Sequence, residues 1–153
     1  MQTIAIYDFI DKEKNGVHWS VYRGGFKKVP DFSKMTPKFS GITYSFGLNK
    51  DVKTPQHYFG LRFKSKIKID KPGLYKFYTS SNDGSKLYVD GKLIVDNDGL
   101  HGPVQKSGDI QLTKGMHNIM VDYFQGGGSK VLMVFYSSGD VEYRPVPGSV
   151  LFK

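Results

Sequence analysis

The stretch Tyr58-Phe-Gly-Leu-Arg-Phe-Lys-Ser-Lys-Ile-Lys-Ile69 decides the fold class. Phe59, Leu61, Phe63, Ile67 and Ile69 take its odd positions, and Tyr58, Arg62, Lys64, Lys66 and Lys68 its even ones. Successive side chains of an extended chain point to opposite sides, so this alternation buries one face of a strand and wets the other. The basic row is then one side of one strand. It needs no ligand to explain it, because lysines on a sheet also oppose edge-to-edge aggregation; the alternative is that Arg62, Lys64, Lys66 and Lys68 bind an acidic polymer.

The same grammar extends in both directions. Asp70-Lys-Pro-Gly73 reads as a turn and residues 74–80 as a strand, followed by the polar loop Ser81-Asn-Asp-Gly84. Asp90-Gly91 lies between two β-rich runs, 86–89 and 92–95. This predicts a tight hairpin, since a type I′ turn needs positive φ at both central residues. Residues 96–107, with Gly99, Gly102 and Pro103, read as a long loop, and 109–112 as a short strand. Strands at 116–124 and 130–136 are joined by Gln125-Gly-Gly-Gly-Ser129. Upstream, Val17, Trp19 and Val21 alternate with His18, Ser20 and Tyr22, residues 29–38 form an irregular connection around two prolines, and 42–46 read as a further short strand. The tail, 146–152, packs on the body. No segment keeps a helical period over three turns. The expected architecture is all-β, an antiparallel β-sandwich or barrel, with residues 1–15 as a lead-in or linker and 16–153 as one domain.

Composition narrows the function. The chain has 153 residues, 39% of them hydrophobic and 14% aromatic, enough for one sizeable core. There is no Cys, which removes thiolate metal sites, thiol nucleophiles and disulfides. The net charge of +8 is uneven: residues 1–71 carry 14 Lys/Arg against 6 Asp/Glu, and residues 72–153 carry 8 of each. His18, His57, His101 and His117 are scattered without metal-ligand spacing, no GxSxG elbow or phosphate loop occurs, and Glu is limited to Glu13 and Glu142. An enzymatic role is not expected. The N-terminus lacks the basic and apolar regions of a signal peptide, and no apolar stretch is long enough to span a membrane. Membrane insertion is not expected, nor is nucleic acid, since no recognition signature accompanies the basic stripe.

Two features carry candidate chemistry. Asn82-Asp83 and Asp96-Asn-Asp98 put hard oxygen donors on loops that flank one hairpin. Calcium takes six to eight such oxygens, but Asp and Asn also serve as turn residues that bond their own backbone. Trp19 is the one indole on which a sugar ring could stack, although its alternation with Val17 and Val21 turns it toward the core.

The run from Gly73 to Asn97, GLYKFYTSSNDGSKLYVDGKLIVDN, resembles the signature of the PA-14 (protective-antigen) domain family, as does KGMHNIMVDYFQGGG from Lys114 to Gly128. Gly16-Val-His-Trp-Ser-Val-Tyr22 and Val146-Pro-Gly-Ser-Val-Leu-Phe152 are similar to the family's first strand and last segment. The resemblance implies a β-sandwich that recognises a glycan. Sugar-binding adhesins of the family hold calcium with an Asp-Asp pair joined by a cis peptide. Asn82-Asp83 falls at that pair with Asn in place of the first Asp, and Gln125 falls near a further amide ligand. Calcium, held by Asn82, Asp83 and Gln125, is thus the candidate cofactor. Asn82, Asp83, Asp98, His101 and Gln125 are the candidate ligand-binding residues. The segment Asp31 to Gly41 is most similar to domains on bacterial β-glucosidases and hexosaminidases. The expected setting is therefore an accessory domain beside a catalytic domain of a glycan-degrading enzyme that is secreted, periplasmic or cell-surface, its signal peptide outside this chain. The alternative is a structural or protein-contact module that shapes a neighbouring hydrolase domain.

Overall fold

A computed structural model describes residues 9–153; residues 1–8 of the expected lead-in, including Asp8, lie outside the described residues. Among the described residues, eleven strands follow in order: β1 (Val17–Arg23), β2 (Phe39–Thr43), β3 (Phe59–Ile69), β4 (Gly73–Asn82), β5 (Ser85–Val89), β6 (Lys92–Asn97), β7 (Val104–Leu112), β8 (Gly115–Gln125), β9 (Val131–Ser138), β10 (Arg144–Pro145) and β11 (Leu151–Phe152). Short 3₁₀ turns occupy Phe32–Lys34 and Gly148–Val150. The strands form two antiparallel sheets. The larger runs β2-β1-β3-β8-β5-β6 with β11 also on β3, and the smaller runs β10-β9-β4-β7. The chain is an all-β sandwich.

The β3 alternation is realised residue by residue. Phe59, Leu61, Phe63 and Ile67 are fully buried, while Lys64, Lys66 and Lys68 are exposed. The opposing sheet supplies Tyr75 and Phe77 from β4 and Leu132, Val134 and Tyr136 from β9, so side chains of the two inner faces interdigitate. Burying side chains of this size stabilises by about 1.5–3 kcal/mol each. Trp19 belongs to this core, 4% exposed, and is no sugar platform. Its indole lies across Gly41, the register partner on β2, where an added Cβ would approach to 2.9 Å.

The Asp90-Gly91 hairpin has φ of 50° and 79°, as its turn type demands. Two sequence expectations shift. The early strand pairs as Phe39–Thr43 rather than 42–46. The expected loop 96–107 is cut short from both ends, because β6 runs to Asn97 and β7 begins at Val104. The buried Asn97 explains this. Its amide Nδ2 donates to the carbonyls of Thr79 (3.2 Å) and Val104 (2.9 Å), tying the ends of β4, β6 and β7 together. Ser85, bonded to Thr79 (2.9 Å) and Ser81 (2.7 Å), completes a buried polar knot at that end of the sandwich.

Candidate functional site

Three loops leave the sandwich at the polar end: residues 83–84 between β4 and β5, 98–103 between β6 and β7, and 126–130 between β8 and β9. Asp83 binds them together. The residue is buried, 7% exposed. Oδ1 accepts the His101 N–H (3.2 Å) and Oδ2 accepts the Gly126 N–H (2.8 Å), so one side chain of the first loop grips the other two. The Asn82–Asp83 peptide is cis, at the position where the family resemblance puts such a bond. Tyr123 donates its hydroxyl to the Asn82 carbonyl (2.6 Å). Burial raises the Tyr123 phenol well above its ordinary range, so it remains a donor. Gly84 is a position where only hydrogen fits: a Cβ would meet the Phe124 ring at 2.6 Å and the Gly99 nitrogen at 2.7 Å.

The five candidate residues share this rim, but most are fasteners. Asp98 Oδ1 accepts the backbone N–H of Val29 (2.8 Å) and Gly99 (2.7 Å), and its Oδ2 lies 3.7 Å from the Lys86 ammonium. The His101 ring nitrogens lie against two carbonyls, those of Gly102 (2.7 Å) and Asn97 (2.8 Å). Gln125 is fully buried, and its Nε2 faces the carbonyls of Gly127 (3.0 Å), Gly128 (3.0 Å) and Ser129 (3.4 Å) while Oε1 has no partner. Asn82 is half-buried.

The surface these fasteners present is supplied by other residues. Tyr58 is 60% exposed in a left-handed conformation (φ 60°), held by its N–H on the Gly126 carbonyl (3.3 Å) and by the Gly24 N–H on its own carbonyl (3.1 Å). Leu100 is 57% exposed and borders Gly126. The sequence shows that Tyr58 lies on the wet side of β3. It does not show that the chain turns there, with the Tyr58 backbone bonded to Gly126 of the rim and the ring beside Gly25 and His57.

As arranged, this donor set is not preset for a calcium ion. Each Asp83 oxygen spends one lone pair on a backbone N–H, and the loop carbonyls face the Gln125 amide nitrogen, a donor and not a cation ligand. Asn82 leaves Asp83 as the only formal charge of the pair.

The PA14 domain profile matches residues 13–148. The chain belongs to the PA14 domain family. Anti-sigma-I factor RsgI3 of Acetivibrio thermocellus is 26% identical over 136 residues, covering 85% of this chain and 21% of that protein. Among solved structures, an anti-sigma factor domain-containing protein superposes with a TM-score of 0.76 at 24% identity, over 90% of this chain and 47% of the other. The PA14 sugar-binding domain from an RTX adhesin gives a TM-score of 0.74 at 14% identity, covering 90% and 98%. This PA14 chain therefore spans about a fifth of its curated relative and about half of the solved anti-sigma protein. At these identities the solved structures speak for the fold alone.

Proposed function

We propose that this chain is a non-catalytic glycan-recognition domain of a larger cell-surface or secreted protein, and that the glycan meets it at the rim organised by Asp83. The reading rests above all on the Asp83 carboxylate, which joins three loops by accepting from His101 and Gly126. A preorganised rim lowers the entropy lost on binding. Tyr58 offers an aromatic face, Leu100 an apolar edge, and the Asn82 amide together with the exposed backbone of residues 127–129 offers partners for hydroxyls. Asp83, Asp98, His101 and Gln125 hold this surface from behind, and recognition needs no calcium. The likeness to the sugar-binding PA14 domain of the RTX adhesin supports the choice of ligand class.

The test is a glycan array probed with the chain and with Tyr58→Asn, a residue that tolerates positive φ. At least one glycan is retained, and the variant loses most of that signal. An array without any retained glycan, or a variant that binds as well as the parent, overturns the reading.

The parent chain has two readings. Similarity to anti-sigma factors favours a surface sensor in which glycan occupancy is relayed inward. The accessory or shaping domain of a glycan-degrading enzyme is the second. Sequencing the intact transcript separates them, since only the second places a catalytic domain on the same chain.

A further inference from the structure

The outer face of the larger sheet carries a row of basic, aromatic and polar residues. Strand register sets His18 of β1, Lys64 of β3, Met120 of β8 and Tyr88 of β5 in one row across the sheet. The next row sets Lys66 beside Asn118. Three adjoining cavities of about 320, 330 and 150 Å³ open along this face, and Lys64 lines all three. Tyr88, Asn118 and Met120 wall the first, His18, Ser20 and Arg62 the second, and Lys66 and Lys153 the third. These shallow, open cavities adjoin at Lys64 and together make a groove along the face.

Its charges are unequal in availability. Arg62 is neutralised by a bidentate pair with the buried Asp122, Nε to Oδ1 at 2.8 Å and a second nitrogen to Oδ2 at 2.9 Å. Lys68 lies 3.9 Å from Asp70. Among the described residues, Lys64 and Lys66 have no carboxylate within 4.0 Å, and both are exposed. Two residues apart on one strand face, their Cα atoms are about 7 Å from each other. A groove with two unpaired ammonium groups on its floor, an aromatic and a thioether wall, and amide and hydroxyl donors between them suits a chain of sugar rings that bear carboxylates.

The geometry points to an acidic polysaccharide, a polymer of uronic acids, bound along the Lys64 groove independently of the Asp83 rim. Lys64 and Lys66 pair with carboxylates, Tyr88 and Met120 carry ring faces, and Asn118 and His18 meet hydroxyls. Lys64 and Lys66, with Lys153 at the end of the groove, suffice for this. A nucleic acid, bound by neutralising many phosphates, would call for more.

Affinity electrophoresis in alginate, in its propylene glycol ester and in duplex DNA tests the assignment. The chain is retarded by alginate and at least tenfold less by the ester, whose carboxylates are masked. Lys64→Ala/Lys66→Ala abolishes the retardation, Tyr88→Ala weakens it several-fold, and Tyr58→Asn at the rim leaves it unchanged. All four positions are at least partly exposed, and thermal melts of each variant confirm folding. Equal retardation by the ester, indifference to the double substitution or to Tyr88→Ala, or equally strong retardation by DNA at the same salt overturns the proposal. Loss of alginate binding in Tyr58→Asn would assign that ligand to the rim instead.

Discussion

At the residue scale, Asp83 is a structural carboxylate before it is anything else. Replacing it with Ala leaves the N–H groups of His101 and Gly126 without their acceptor. Hydrogen bonds to charged groups contribute about 1.5–3 kcal/mol, so Asp83→Ala should destabilise the fold by about 2 kcal/mol or more in urea titration, and Asp83→Asn by less. An equal cost for both would mean that the charge plays no part. Because the calcium-facing oxygens are engaged, millimolar calcium should leave the melting temperature unchanged; a saturable rise would show that the Gln125 amide turns its oxygen to the Gly127 and Gly128 carbonyls and admits the ion. A third residue titrates away from the rim. Burial alone would lower the His117 pKa, but the Asp90 carboxylate 2.6 Å from its Nδ1 and the Thr113 carbonyl outweigh that and raise it. A raised histidine pKa means that the folded state holds the proton more tightly. The pair's stabilisation is therefore full below the unfolded value of about 6.5 and fades as pH rises through the folded one. Thermal melts across this window should show that loss in the parent and a flatter profile in Asp90→Asn. Identical profiles would refute the linkage.

At the element scale, the two sheets meet most closely where β6 passes β7. Gly108 lies under the β6 backbone: a Cβ there would fall 1.8 Å from the Ile94 carbonyl oxygen. Backbone cannot move aside as a side chain can, so Gly108→Ala should cost about 1–3 kcal/mol. Gly139→Ala, with nothing within 4 Å, should be neutral in the same denaturation experiment. This junction also shows what sequence could not convey. Residues 104–107 are exposed and mostly polar, so no apolar alternation marks them as a strand. Their pairing comes from β4, with Ser81 opposite Val104 and Tyr78 opposite Ser107, and from the Asn97 side chain. Where burial is one-sided and strong, as in β3, the pattern is legible from Phe59 to Ile69. The Asp90-Gly91 turn is legible for a different reason, because its chemistry is local.

At the scale of the whole molecule, the +8 charge separates into a paired and an available part. The sequence shows a stripe of four basic residues on β3. Only the fold shows that Arg62 is neutralised by Asp122 across the sheet while Lys64 and Lys66 stand free beside Tyr88 and Asn118. The rim follows the same rule. Clustered Asp, Asn and Gly residues mark the loops that meet there, but sequence does not say which way a carboxylate faces. Asp83, Asp98 and His101 turn toward backbone groups, and Tyr58 and Leu100 turn outward. The molecule thus presents two surfaces, a rim organised by Asp83 at one end and a cationic groove on one face. The most direct measurement of the central claim is an amide-resolved NMR titration of the ¹⁵N-labelled chain with the neutral glycan best retained on the array. Saturable shifts should gather at Tyr58, Asn82, Leu100 and residues 126–129; shifts confined to the outer faces of the sheets, with these amides unmoved, would contradict it.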